Sequence, residues 1–341
     1  MRIFIRADGG KSIGMGHIMR MLVLACQLRK KNQVIFICRE DSNRKYEAGI
    51  KKIKENEFEV LKIEDEDVIS DILVLQEEYK ADILITDSYE VNEEYFNSLK
   101  PYFKLTGYVD DINKCYMNVD FIINQNINAK CLDYSKTTKG STRMFLGPQY
   151  CMLREEFKIV RDEKQEKDNV EDILLTLGGM DDNNNTMKVL DNIKDLKQRI
   201  HVVLGNGFDE NVKKQVYNLS KQYKNIYPYE NANMSEIMKI CDIAISACGS
   251  TIYELCAMHV PAIGVVIADN QRNVAELMKK ERMILDIINV EQLEYDKFPE
   301  LLQILINDNI VRQEIKNNSN NIVNLYGAER LAENIEKLCI W

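Results

Sequence analysis

Short apolar runs separated by longer, helix-spaced segments fill the first half of the chain: Ile3–Ile5, Val34–Cys38, Val60–Ile63, Ile83–Thr86, Leu105–Val109 and Phe121–Ile123. Brief continuous runs suit strands buried on both faces, and their alternation with helical patterns predicts βαβ units and a mainly parallel sheet. At 161–169 the pattern lapses into RDEKQEKDN, with no Ile, Leu, Val or Phe, which predicts a solvated linker. Ile173–Leu177, Val202–Leu204, Ile243–Ser246 and Ile263–Ile267 then restart the alternation, and three helical patterns follow them. The fold expected is α/β, with two doubly wound Rossmann-like domains over 1–160 and 161–325 whose sheets face a central cleft. A chain of 341 residues agrees with two domains of ~150 residues each.

Composition narrows the function more than the fold. Lys and Arg number 45 against 54 Asp and Glu, a net charge of −9, which argues against a partner held through its phosphate backbone; no nucleic acid is expected. The longest apolar stretch, 260–268, falls far short of the ~20 residues that span hydrocarbon, so no membrane insertion is expected. MRIFIRADGG interleaves Arg2 and Arg6 with its apolar residues and lacks the apolar core of a signal peptide, which predicts a cytoplasmic protein. Nine cysteines are scattered without a CxxC pair and read as reduced thiols, not as zinc ligands or a disulfide framework. Oligomeric state stays open, with a monomer favoured.

Ligands of open parallel sheets bind beyond the carboxyl ends of the strands, so the loops there hold the candidates. The first loop, ADGGKSIGMGH at 7–17, contains Gly9, Gly10, Gly14 and Gly16 and ends at His17; Ile18, Met21, Leu22, Ala25 and Leu28 then recur at helical spacing. His17 therefore falls in a helix's first turn, whose partial positive charge favours the neutral imidazole that a general base needs. A histidine that merely caps its loop is the plainer alternative. Met19 stands where a dinucleotide fingerprint needs its third glycine, and GGKS at 9–12 lacks the upstream glycine of a P-loop, so neither NAD nor ATP is favoured and no cofactor is expected.

A second loop, Ala247 to Glu254, opens a helix on the amides of Gly249, Ser250 and Thr251, a place suited to a diphosphate. Glu254, one turn in on the side of Ser250, would reach a ribose diol, although a glutamate in a first turn needs no ligand to explain it. Gly178 and Gly179 follow another strand, and Asn270 and Gln271 follow Ile263–Ile267, where amides suit sugar hydroxyl or acetamido groups and capping suits Asn270 equally. Tyr89 lies just past Ile83–Thr86, as a site residue or a rim tyrosine. Cys248 reads as a small side chain before the loop and not as a nucleophile. Asp65-Glu66-Asp67 has the DxD form that holds a metal ion in some nucleotide-sugar enzymes, but reads here as the acidic start of a helix, so no metal site is expected. His201 and His259 read as structural, and Asp110-Asp111 as a weaker site candidate.

Taken together, RADGGKSIGMGHIMRMLVLA at the start, LGPQYCMLREEF at 146–157, LTLGGMD at 175–181 and ACGSTIYELCAMHVPAIGVVIADNQ at 247–271 resemble one family over essentially the whole chain. It is the UDP-2,4-diacetamido-2,4,6-trideoxy-β-L-altropyranose hydrolases of pseudaminic acid biosynthesis (PseG), similar in turn to the MurG-type GT-B glycosyltransferases. The resemblance implies a GT-B architecture with UDP held mainly by the second domain, and a terminal segment, 326–341, whose helix Ala328–Leu338 returns to the first domain. It places His17 on the family's catalytic histidine, Gly14 and Gly16 in that loop, Gly249, Ser250 and Thr251 on the diphosphate loop, and Glu254 on the ribose-binding glutamate. Asn231–Met234, with Asn233 and Met234, matches the segment near the uracil, and Tyr89 and Asn270 match polar residues near the sugar. Cys248 and His259 depart from the small residues usual at their positions. The reaction implied is displacement of UDP from a small-molecule UDP-sugar by water, activated by His17, with inversion at the anomeric carbon and without a metal ion. A GT-B transferase acting on a sugar or lipid hydroxyl is the alternative among enzymes. A nucleotide-sugar-binding protein is the alternative outside them, against which His17 counts.

Overall fold

In β1 (Arg2–Ala7) Ile3 and Ile5 turn to one face and Phe4 to the other, and all three are fully buried, as a parallel sheet covered on both sides requires. The computed structural model describes residues 1–10, 13–181, 183–290 and 297–339, the side chain of Asn270 excepted. It divides into two units, Met1–Leu153 with the segment from Tyr326 onward, and Arg154–Leu325.

In the first unit β1 is joined by β2 (Gln33–Arg39), β3 (Glu59–Ile63), β4 (Ile83–Asp87), β5 (Leu105–Val109), β6 (Phe121–Asn124) and β7 (Arg143–Leu146), parallel throughout in the order β3-β2-β1-β4-β5-β6-β7. Its helices are α1 (Gly16–Leu28), α2 (Glu47–Glu55), α3 (Val68–Tyr79), α4 (Glu93–Leu99) and, from the chain's end, α13 (Gly327–Leu338). Ile18, Met21, Leu22, Ala25 and Leu28 of α1 are buried together with Ile3, Ile5 and with Leu331 and Ile335 of α13. The opposite face buries Phe4, Ile35 and Ile37 under Ile72 of α3 and Phe96 and Leu99 of α4. Gly327 opens α13 where a β-carbon would lie 2.3 Å from the carbonyl oxygen of Cys151, so this contact of backbones admits no side chain.

The second unit carries α5 (Glu156–Glu163), β8 (Asp172–Thr176), α6 (Asn185–Ile193), β9 (Arg199–Leu204), α7 (Glu210–Gln222), β10 (Ile226–Glu230), α8 (Met234–Ile240), β11 (Ile243–Ala247), α9 (Thr251–Ala257), β12 (Ala262–Val266), α10 (Arg272–Lys280), β13 (Ile287–Asn289), α11 (Lys297–Asn307) and α12 (Asn309–Ile322). Its sheet is also parallel, ordered β10-β9-β8-β11-β12-β13. Each sheet reverses its strand order once, between β1 and β4 and between β8 and β11. Connections on the two sides of such a reversal diverge, which opens a crevice at the carboxyl ends of the two strands.

One expectation needs correction. Residues 161–169 do not join the two units but belong to the second: α5 runs into this stretch with Phe157 and Val160 buried, and Arg161 donates to the carbonyl of Ala257. Lys164 donates to the carbonyls of Met238 and Cys241 at 2.6 and 2.7 Å, Lys167 to Asp172 at 3.0 Å, and Lys316 to Glu166 at 3.1 Å. The three basic residues of the stretch bond within the second unit while its acidic residues stay exposed, and the units part at Leu153/Arg154, ahead of the boundary expected at 160. Among the described residues no helix is long and apolar enough to cross a membrane.

Candidate active site

The reversal of the first sheet brings the loop after β1 beside the end of β4, and the side chains there form one polar cluster. Gly14, with φ of +75°, and Gly10 exchange two backbone hydrogen bonds of 3.0 and 2.9 Å, which folds the loop back and delivers the chain to α1. His17 is the second residue of α1. Its Nδ1 lies 2.7 Å from Oδ1 of Asp87, the last residue of β4. An ionised carboxylate can only accept, so the proton of this bond belongs to Nδ1; in a neutral imidazole held this way the lone pair is on Nε2, the arrangement in which an imidazole serves as a base.

Arg20, one turn on from His17, bonds both oxygens of Asp87 at 2.6 Å and reaches Asp111 at 2.8 Å. Burial alone would raise the Asp87 carboxyl, but the charge and hydrogen bonds of Arg20, with the hydrogen bond of His17, outweigh it and hold the group well below the usual carboxylate range. Burial likewise opposes the charge on Arg20, and Asp111 and Asp87 together more than restore it. Tyr89 donates to Asp111 at 2.6 Å and meets the His17 ring edge-on, with centroids 4.7 Å apart. Burial first, then the charge of Asp111, pushes its phenol up. Asn126 closes the cluster with a 2.9 Å bond to Asp111.

In the second unit the reversal brings together the loops after β8 and β11. Gly178 and Gly179 face open space where side chains would stand, while their carbonyls press on Gly205, whose β-carbon would lie 2.5 Å from both oxygens. The loop after β9 is thus a further glycine turn of this site, which the sequence reading passed over. After β11, Ile252 N–H bonds the carbonyl of Gly249 and Tyr253 N–H that of Ser250, so α9 starts directly behind the loop. Gln271 accepts from the amide of Ile267 at 3.2 Å, and its amide nitrogen is the nearest atom to where a Gly249 side chain would stand, at 3.9 Å. Glu254 stands in the first turn of α9, and Arg154 donates to it at 3.3 Å. Asn233 precedes α8 exposed to solvent and accepts from the hydroxyl of Ser235 at 2.9 Å; Met234 is half-buried. The side chain of Asn270 lies outside the described residues.

The remaining candidates divide cleanly. Burial pushes the Cys248 thiol up to about 12, which makes it a packing residue. Asp65 is taken by Arg39 at 2.7 Å and by the Tyr46 hydroxyl, and Asp67 caps α3 through the amide of Ser70. Among the described residues no group of three or more His, Cys, Asp or Glu is placed to hold a metal ion. His201 bonds Asp172 and the Tyr229 hydroxyl, each at 2.9 Å, and His259 faces the Arg161 guanidinium. Asp110 is buried under the Tyr134 hydroxyl and the amide of Asn113, whereas Asp111 belongs to the His17 cluster. Asp87 and Arg20, on which the cluster turns, escaped the sequence reading. Their signals were an aspartate ending an apolar strand and an arginine three residues after His17, one turn on along the same side of α1.

Residues 173–321 match the model of the glycosyltransferase family 28 C-terminal domain. An uncharacterized protein of Methanocaldococcus jannaschii is 33% identical over 289 residues, 80% of this chain and 57% of that protein, so the chain spans little more than half of that relative's length. The spore coat polysaccharide biosynthesis protein SpsG of Bacillus subtilis is 26% identical over 84% of each chain. The UDP-2,4-diacetamido-2,4,6-trideoxy-beta-L-altropyranose hydrolase of Campylobacter jejuni is 25% identical over 82% of this chain and 97% of its own. In fold the chain is similar to MurG of Acinetobacter baumannii, with a TM-score of 0.67 at 14% identity over 98% of this chain and 99% of that one. In sequence the chain is thus similar to the UDP-2,4-diacetamido-2,4,6-trideoxy-beta-L-altropyranose hydrolases, and in fold it has the GT-B architecture of MurG.

Proposed function

We propose that the protein hydrolyses a UDP-2,4-diacetamido-2,4,6-trideoxyhexose, the β-L-altro sugar of pseudaminic acid biosynthesis, releasing UDP. The observation that carries this is the bond from His17 Nδ1 to Asp87, which leaves Nε2 as the base on a glycine loop at a strand-order reversal. Nε2 removes a proton from water as the water attacks the anomeric carbon, and UDP departs with inversion. Asp87 fixes the tautomer and faces the imidazolium that forms. The amides of Gly249, Ser250 and Thr251 take up the charge on the departing diphosphate, and Glu254 takes the ribose. Glycosidases need a second carboxyl group to protonate their leaving group, whereas UDP leaves without one. Gln271 stands beside the diphosphate loop, where its amide suits the donor's polar groups.

The match to a glycosyltransferase family 28 C-terminal domain favours one second reading, in which the same base deprotonates an acceptor hydroxyl. Incubation with the UDP-diacetamidotrideoxyhexose and no acceptor separates the two. Free sugar and UDP are expected; release of UDP only when a sugar or lipid acceptor is added would make the protein a transferase.

A further inference from the structure

The segment Leu153–Phe157 stands out in the sequence yet has no part in the reaction above, and its Arg154 is the first residue of the second unit. This arginine is held on three sides. Its Nη2 donates to Oε1 of Glu254 at 3.3 Å, its Nη1 lies 2.8 Å from Oε1 of Glu156, and its guanidinium carbon sits 4.9 Å from the centroid of Phe157, which is fully buried. Glu254 is itself largely shielded, its side chain 18% exposed. Held against one oxygen, Arg154 sets the rotation of the carboxylate and with it the direction of Oε2. A ribose diol presents two hydroxyl donors, and a carboxylate meets both only when it is ionised and turned toward them.

We infer that Arg154 is a positioning residue for nucleotide selection: by anchoring Oε1 of Glu254 it presents the rest of that carboxylate to the ribose diol of the UDP moiety. The inference rests on the reading of Glu254 as the ribose ligand. The energetics agree in direction, since burial pushes the Glu254 carboxyl up and Arg154 is the group that draws it back. An arginine that served only to join α5 to the unit would act on every ligand alike, whereas one that acts through Glu254 matters only to ligands with the diol.

Calorimetric titration of the full chain with UDP and with 2′,3′-dideoxy-UDP, which lacks both hydroxyls, tests this. The wild type should prefer UDP by about tenfold or more, the scale of a hydrogen bond to a charged group. Arg154→Met should weaken UDP binding about fivefold or more and leave dideoxy-UDP nearly unchanged, and Arg154→Lys should keep most of the preference. In a Glu254→Gln background, Arg154→Met should add less than about a twofold change, because the two residues act as one unit. Equal weakening of both ligands by Arg154→Met, or an undiminished effect in the Glu254→Gln background, would overturn the inference and leave the reading of Glu254 standing. A wild type that binds the two ligands equally would remove that reading and the inference with it.

Discussion

At the scale of single residues the chemistry depends on which nitrogen of His17 is free. Asp87→Asn keeps the shape but offers an amide that can donate to Nδ1, which would move the proton to Nε2 and remove the base. We expect His17→Ala and Asp87→Asn each to lower kcat by about 10²- to 10⁴-fold with UDP affinity nearly unchanged, measured by steady-state kinetics and UDP titration. Near wild-type turnover in either variant would refute the assignment. Arg20 is a question of stability first. Removing it leaves the buried carboxylate of Asp87 and the partly buried one of Asp111 without their shared cation, and Arg20→Met should cost about 3 kcal/mol in urea unfolding at pH 7. The sign with pH follows from the depressed Asp87 carboxyl. In the wild type its contribution is fully present above ~pH 4 and is lost only as pH falls through the lower folded value. In the variant the carboxyl takes up a proton sooner and sheds its penalty, so the deficit should narrow between pH 7 and pH 4. His17 was legible in the sequence because a glycine-rich loop ahead of a helix marks it. Asp87 and Arg20 were not, because an aspartate 70 residues from His17 gains its meaning only when β4 pairs with β1.

At the scale of elements, legibility followed burial. The central strands were plain as apolar runs, but β7, β10 and β13 were missed, and all three lie at sheet edges. An edge strand is only partly covered and carries polar residues on its open side, as Tyr227-Pro228-Tyr229 does in β10; the proline also denies that edge a donor. The stretch at 161–169 failed for a different reason, because composition cannot distinguish a lysine in water from one pinned to helix carbonyls. Burial pushes the Lys164 ammonium down to about 8, against ~10.4 in an unfolded chain. Between these values the unfolded state binds more protons than the folded one, so the stability contributed by Lys164 rises with pH across that window. Denaturant midpoints of the wild type and Lys164→Met should therefore shift in favour of the wild type between pH 7 and pH 10. A constant difference would show that the ammonium is not desolvated.

At the scale of the whole molecule, each unit places its proposed functional groups at the one reversal of its sheet, the His17 cluster in the first and glycine-framed amides in the second. The carboxylates Asp65 and Asp67 are engaged by Arg39, Tyr46 and the start of α3, and loop amides can serve a diphosphate, so EDTA should leave the rate unchanged. Loss of activity on chelation, restored by Mg²⁺ or Mn²⁺, would return those aspartates to the site. Which bond breaks decides the mechanism: in the proposed reaction, water activated by His17 releases UDP by attack at carbon, whereas attack at phosphorus would place the new oxygen on the nucleotide. Turnover of the UDP-diacetamidotrideoxyhexose in ¹⁸O-labelled water, without acceptor and sampled before ring opening exchanges the anomeric oxygen, tests this directly by mass spectrometry. The label is predicted in the anomeric hydroxyl of the free sugar, with unlabelled UDP; label in the nucleotide's terminal phosphate would contradict the mechanism.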